Sequence, residues 1–143
     1  MPELRECLAS DGLEDVRTYV QSGNVVASID EAPDELARRC RALIGRQFSL
    51  DIAVIVRTRD ELAQVVRLDP LKDVADNPKR YQVTFLASEL DHKQLERLAA
   101  VAVPAERLVG IGRELYSWHP EGVGRSKLWG RIAGVGLGVT ATA

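Results

Sequence analysis

Apolar residues recur at helical spacing in some stretches of this chain and alternate in others. Each switch falls at a glycine, a proline or a polar cap. Leu4, Cys7 and Leu8 share one face of a helix over Pro2–Ser10, which Gly12 ends. Two β-branched runs, near Arg17–Val20 and Asn24–Ile29, flank Gln21, Ser22, Gly23 and Asn24 and predict a tight hairpin. Gly23 and Asn24 are the residue types that tolerate positive φ in its turn. Pro33 opens a second helix to about Gln47, with Leu36, Cys40, Leu43 and Ile44 on one side. From Asp51 to Thr58, Ile52, Val54 and Val56 alternate with Ala53, Ile55 and Arg57, which predicts a strand with both faces partly covered.

Thr58 and Glu61 then spell a capping box, starting a helix with Leu62, Val65 and Val66 inward, which Asp69-Pro70 stops. Residues 69–79 are polar, hold two prolines and lack periodicity. A strand follows over Arg80–Ala87, then a second capping box at Asp91–Gln94 leading a helix with Leu95, Leu98 and Ala99. Strands near Arg107–Ile111 and Glu114–Trp118 are joined by Gly112-Arg113. The segment Gly122–Lys127 leads into a short helix around Leu128–Ala133, and the glycine-rich tail beyond reads as irregular.

Two halves emerge with one order of elements. Each becomes a βαββαβ unit if one strand is added before Met1 and one after Ala143. The predicted fold is therefore α+β, two ferredoxin-like halves in tandem, with the first strand of the first half and the last strand of the second half absent. Residues 1–68 form the first half with 59–68 as a connecting helix, 69–79 the linker, and 80–143 the second half.

Composition narrows the classes of function. At 143 residues, the chain is long enough for one domain or two small halves. A net charge of -2 argues against a strong electrostatic nucleic-acid footprint. No apolar run approaches the roughly 20 residues of a membrane span. Met1-Pro2-Glu3-Leu4 has neither the basic start nor the apolar stretch of a signal peptide, so the cytoplasm is the expected compartment. Cys7 and Cys40 both fall on apolar stripes and read as small buried hydrophobes.

Three stretches carry a resemblance across most of the chain: residues 4–26 (LRECLASDGLEDVRTYVQSGNVV), 51–66 (DIAVIVRTRDELAQVV) and 118–128 (WHPEGVGRSKL). In that order they resemble a family of small bacterial proteins, domain of unknown function 1697. The resemblance implies the same tandem of ferredoxin-like halves, and no established activity. It also implies a strand ahead of the first helix and an Asn-Trp segment with a last strand after Ala-Thr-Ala, neither of which has a counterpart here. Unpaired strand edges recruit other strands, so a homodimer through an incomplete sheet edge is expected, or lower stability than an extended chain.

Two polar clusters are the candidate sites. Glycines ahead of a helix let N–H groups converge, and Gly124, Arg125, Ser126 and Lys127 add donors and positive charge suited to a phosphate or another small anion. The bland alternative is a glycine turn with Ser126 as an ordinary helix cap. Gln21, Ser22 and Asn24, beside Tyr19, form the second cluster and would make the other half of one composite site. Its bland alternative is turn chemistry. Tyr81 with Phe85, and Tyr116 with Trp118, each share a strand face, a placement that stacks bases in some RNA-binding sheets. The acidic pI and the missing RNP1 pattern disfavour nucleic acid, and packing explains these aromatics more economically. His92 and His119 have no ligand-spaced cysteine or carboxylate nearby, so neither a metal nor a cofactor is implied. Arg38, Arg39, Arg41 and Arg46 are expected to face water. The preferred reading is a non-enzymatic binding module for a small anionic ligand. The alternatives are an enzyme acting on a phosphorylated metabolite and a nucleic-acid binder using the aromatic strands.

Overall fold

The computed structural model describes residues 2–19, 24–133 and 141–142. The chain divides into two compact units, Met1–Val56 and Arg57–Ala143.

The first unit holds α1 (Pro2–Ser10), β1 (Glu14–Tyr19), β2 (Asn24–Ser28) and α2 (Pro33–Phe48). Gly12 at φ 99 turns the chain out of α1, as only glycine does without strain. The hairpin register Tyr19↔Asn24, Thr18↔Val25 and Arg17↔Val26 matches the sequence expectation, while Gln21, Ser22 and the rest of the turn lie outside the described residues. Leu8, Leu13, Cys40 and Leu43 form the core of this unit, with Val25, Ala27 and Val54 packed against it. Cys7 and Cys40 are free thiols, and burial pushes the Cys40 thiol up from its ordinary value. Arg39 departs from the expected solvated row: it is half-buried and pairs with Asp11 and Glu31.

The strand expected over 51–58 does not form. Its residues alternate, but alternation supplies a face and not a hydrogen-bonding neighbour.

The second unit is α3 (Arg59–Leu68), β3 (Tyr81–Leu86), α4 (His92–Val101), β4 (Arg107–Ile111), β5 (Glu114–Trp118), α5 (Lys127–Ala133) and β6 (Ala141–Thr142). Both capping boxes form, Thr58 with Glu61 and Asp91 with Gln94, each satisfying two orphan amides reciprocally. Strand order is β4-β5-β3-β6, antiparallel throughout, which is the ferredoxin-like arrangement of a βαββαβ unit. The last strand, expected to be absent, is therefore present in short form: Ala141 and Thr142 pair with Leu86 and Phe85. The glycines before it masked a β-branched tail. In this unit β6 pairs only with β3, the strand that precedes α4.

Alternation along β5 feeds two cores. Leu115 packs with Leu86, Leu98, Leu128 and Ile132 beneath α4 and α5. Tyr116 and Trp118 pack with Leu71, Val65, Tyr81 and Val83 on the opposite face. The expected linker thus lies inside the second unit, because Leu71 is buried in this core. Of the three α3 residues expected inward, only Val65 joins it, while Leu62 and Val66 are exposed. Arg57 anchors the start of α3. Its guanidinium donates to the Leu86 carbonyl at 2.7 Å and the Arg113 carbonyl at 3.0 Å, and lies over the Phe85 ring.

Candidate functional site

The inward alternation of β5 does not stop at its last residue. Leu115 and Ser117 face α4 and α5, and His119 continues the series just past the strand, with its side chain fully buried. A buried imidazole needs partners for both ring nitrogens. Glu106, ahead of β4, supplies one: its Oε2 lies 2.7 Å from His119 Nδ1. Ser117 Oγ supplies the other, 2.9 Å from Nε2. An ionised carboxylate only accepts, so Nδ1 carries the proton. The Ser117 hydroxyl can donate to Nε2 or accept from it, which satisfies the ring whether neutral or charged.

Ser126 closes the network. Its hydroxyl donates to Glu106 Oε2 at 2.5 Å and accepts the Trp129 N–H at 3.0 Å, which makes it the cap of α5. Glu106 Oε1 takes the Val103 N–H at 3.1 Å. Burial acts to raise the Glu106 carboxyl, but hydrogen bonds from Ser126, His119 and Val103 outweigh it and hold the group below its ordinary value. The Trp129 and His119 rings pack in a T-shaped arrangement with centroids 5.7 Å apart. Further bonds fix the intervening loop: His119 N–H to the Arg80 carbonyl, Gly122 N–H to the His119 carbonyl, and the Arg80 guanidinium to the Pro120 carbonyl. Gly122 sits at φ 86, where a side chain would be strained.

Glu106, His119 and Ser117 stand in the order of a carboxylate–histidine–serine triad. Ser117 and His119 are, however, 0% and 1% exposed, so no substrate reaches the hydroxyl. The network's chemistry is cohesion: it ties the segment ahead of β4, the end of β5 and the cap of α5 into one support.

Gly124, Arg125, Ser126 and Lys127 lie together above that support. Gly124, Arg125 and Lys127 are exposed, while Ser126 is half-buried and turned inward. Neither Arg125 nor Lys127 has an ion-pair partner among the described residues. Of the second cluster, Asn24 is exposed at the first residue of β2, while Gln21 and Ser22 lie outside the described residues. Among the described residues, no group of three or more His, Cys, Asp or Glu side chains is placed to hold a metal ion. No described helix is long and apolar enough to cross a membrane. Tyr116 and Trp118 are buried, and burial pushes the Tyr81 phenol up to about 12. Sequence reasoning missed Glu106 and undervalued His119. The available signal was the 115-117-119 alternation running on through a residue that Pro120 had marked as loop.

The strand order and this buried support define an α+β protein with a ferredoxin-like second unit. The family model described as protein of unknown function (DUF1697) matches residues 1–116, and the chain belongs to that family. A solved structure, that of the conserved bacterial protein SP0830 from Streptococcus pneumoniae, is similar with a TM-score of 0.73 at 17% identity, covering 99% of this chain and 81% of that one. At that identity the likeness speaks to fold alone. No curated protein matches the chain.

Proposed function

We propose that this protein is a non-enzymatic binding module whose ligand is a small anion, phosphate-like in charge, held at Gly124–Lys127. One observation carries the reading: the only side chain of the segment turned inward, Ser126, is bonded to buried groups, leaving Arg125 and Lys127 exposed and without a carboxylate partner among the described residues. Two cations on a fixed loop recognise an anion without first paying for loop ordering. Burial of Ser117 and His119 speaks against serine chemistry, and burial of Tyr116 and Trp118 against base stacking.

Thermal unfolding in inorganic phosphate, against chloride at matched ionic strength, tests the reading. A ligand at 100 times its Kd stabilises by about 2.7 kcal/mol, which moves Tm by several degrees. The wild type should show that rise and Arg125→Ala should lose it. An equal rise in Arg125→Ala, or none in the wild type, overturns the assignment. Gln21→Ala, Ser22→Ala and Asn24→Ala, measured the same way, test whether the hairpin tip contributes. Turnover in a screen of phosphorylated metabolites would instead favour an enzyme.

A further inference from the structure

We propose that the outer edge of β4 is a self-association surface, on which β4 of a second copy pairs antiparallel about a two-fold axis at Val109. β4 is an edge by the topology of the second unit. The order β4-β5-β3-β6 gives it one neighbour, and β3, α4 and β5 around it all lie within the described residues. Which of its backbone groups face outward follows from β5. The Leu86 N–H donates to the Arg113 carbonyl at 2.8 Å and the His119 N–H to the Arg80 carbonyl at 2.9 Å. Odd-numbered residues along β5 therefore turn their backbone groups to β3, and even-numbered ones to β4. In the register Arg107↔Trp118, Val109↔Tyr116 and Ile111↔Glu114, the even residues engage Arg107, Val109 and Ile111. The N–H and carbonyl groups of Leu108 and Gly110 are left pointing to the open edge, without a backbone partner among the described residues.

Charges, proline and bulges are the devices that keep an edge from recruiting strands. β1, the strand that follows the first helix of the other unit, carries Glu14, Asp15 and Arg17, and its register shifts with Asp15 at φ 49. β4 reads Arg-Leu-Val-Gly-Ile and keeps regular register along its whole length. Its one charge is turned aside, because the Arg107 guanidinium donates to the carbonyls of Pro104 and Glu106 ahead of the strand. A second copy of β4 fits because the outward groups are self-complementary about Val109. With Val109 on the axis, Leu108 of one copy lies opposite Gly110 of the other, and each such pair exchanges both N–H···O=C bonds. Gly110 is exposed and has no side chain to obstruct the Leu108 that comes beside it. A two-fold perpendicular to the sheet keeps like faces together. Leu108 stays on the face of the Leu115 core, and the two Val109 side chains meet on the face of the Tyr116 core. The product is a closed, isologous sheet, β6-β3-β5-β4-β4-β5-β3-β6.

A five-residue strand pair is a small interface, so association is read at concentrations up to about 100 µM. Sedimentation equilibrium of the full chain should show mass rising above 15.7 kDa towards twice that value. Over the same range, amide exchange at Leu108 and Gly110, followed by NMR, should slow about threefold or more, since these amides pass from water to a partner strand. Val109→Lys sets two ammonium groups directly opposite and should weaken association about tenfold or more. Mixing it with Val109→Glu, both variants first shown to be folded by urea unfolding, should restore association. A strictly monomeric wild type at about 100 µM overturns the proposal. So does a rise in mass that leaves exchange at Leu108 and Gly110 unchanged, or association that Val109→Lys does not weaken or that mixing fails to restore.

Discussion

Glu106→Ala removes one carboxylate from beneath three donors: the Ser126 hydroxyl at 2.5 Å, His119 Nδ1 at 2.7 Å and the Val103 amide at 3.1 Å. Val103 is exposed, so water can replace its bond. His119 is sealed and Ser126 half-buried, and leaving a buried donor unpaired costs about 1–3 kcal/mol. With His119 and Ser126 both stranded we expect a loss of about 2–4 kcal/mol. Out of a typical 5–15 kcal/mol of total stability this is a large fraction. Urea unfolding followed by tryptophan fluorescence reads it directly, since both tryptophans, Trp118 and Trp129, belong to the second unit. Removing His119 as well, in Glu106→Ala/His119→Leu, should cost less than the sum of the single changes by about 1–3 kcal/mol, because the stranded ring is gone. A loss below about 1 kcal/mol for Glu106→Ala, or strict additivity in the cycle, would refute the account of Glu106 as the acceptor that holds the loop.

The same carboxylate sets an acid dependence. Its folded value lies below the ordinary 4.5, so as pH falls the unfolded chain takes up the proton first. Its contribution is therefore complete above the ordinary value and lost as pH falls through the folded one, and Glu106→Gln should remove that part of the acid slope in a stability–pH series. Thr84 Oγ1 is buried with no hydrogen-bond partner among the described residues, so Thr84→Val should stabilise by about 1 kcal/mol, raising the urea midpoint without changing the slope. Arg57→Met, measured by urea unfolding, should cost about 2 kcal/mol by removing the donor to the Leu86 carbonyl and the cation beside Glu114, with Arg57→Lys failing to restore both contacts. Ser49 ends α2 in the left-handed region at φ 55, and Ser49→Gly should raise Tm through a gain of about 0.5–1 kcal/mol.

Local chemistry made much of this fold legible in advance. The capping boxes at Thr58 and Asp91, the hairpin from Glu114 and the helix opened by Pro33 each rest on residues within four positions of one another. What failed depends on distant partners. Residues 51–58 alternate as a strand does, yet a strand exists only where a neighbour offers its backbone. Leu71 sits in a polar, proline-bearing stretch that reads as a connector, and only the Tyr116 and Trp118 face explains its burial. The candidate loop was readable as a motif. Its support was not, because Glu106 and His119 are 13 residues apart on different elements, and neither spacing nor composition joins them.

β5 lies between β4 and β3 and has an apolar core on each of its faces. Its backbone amides are shielded by neighbours on every side, so solvent deuterons reach them when the second unit comes apart as a whole and not by local fraying. The slowest-exchanging amides of the chain should accordingly be those of Leu115, Tyr116 and Ser117. Their common exchange rate would serve as a built-in clock for the global opening of the second unit, readable separately from any event in the first.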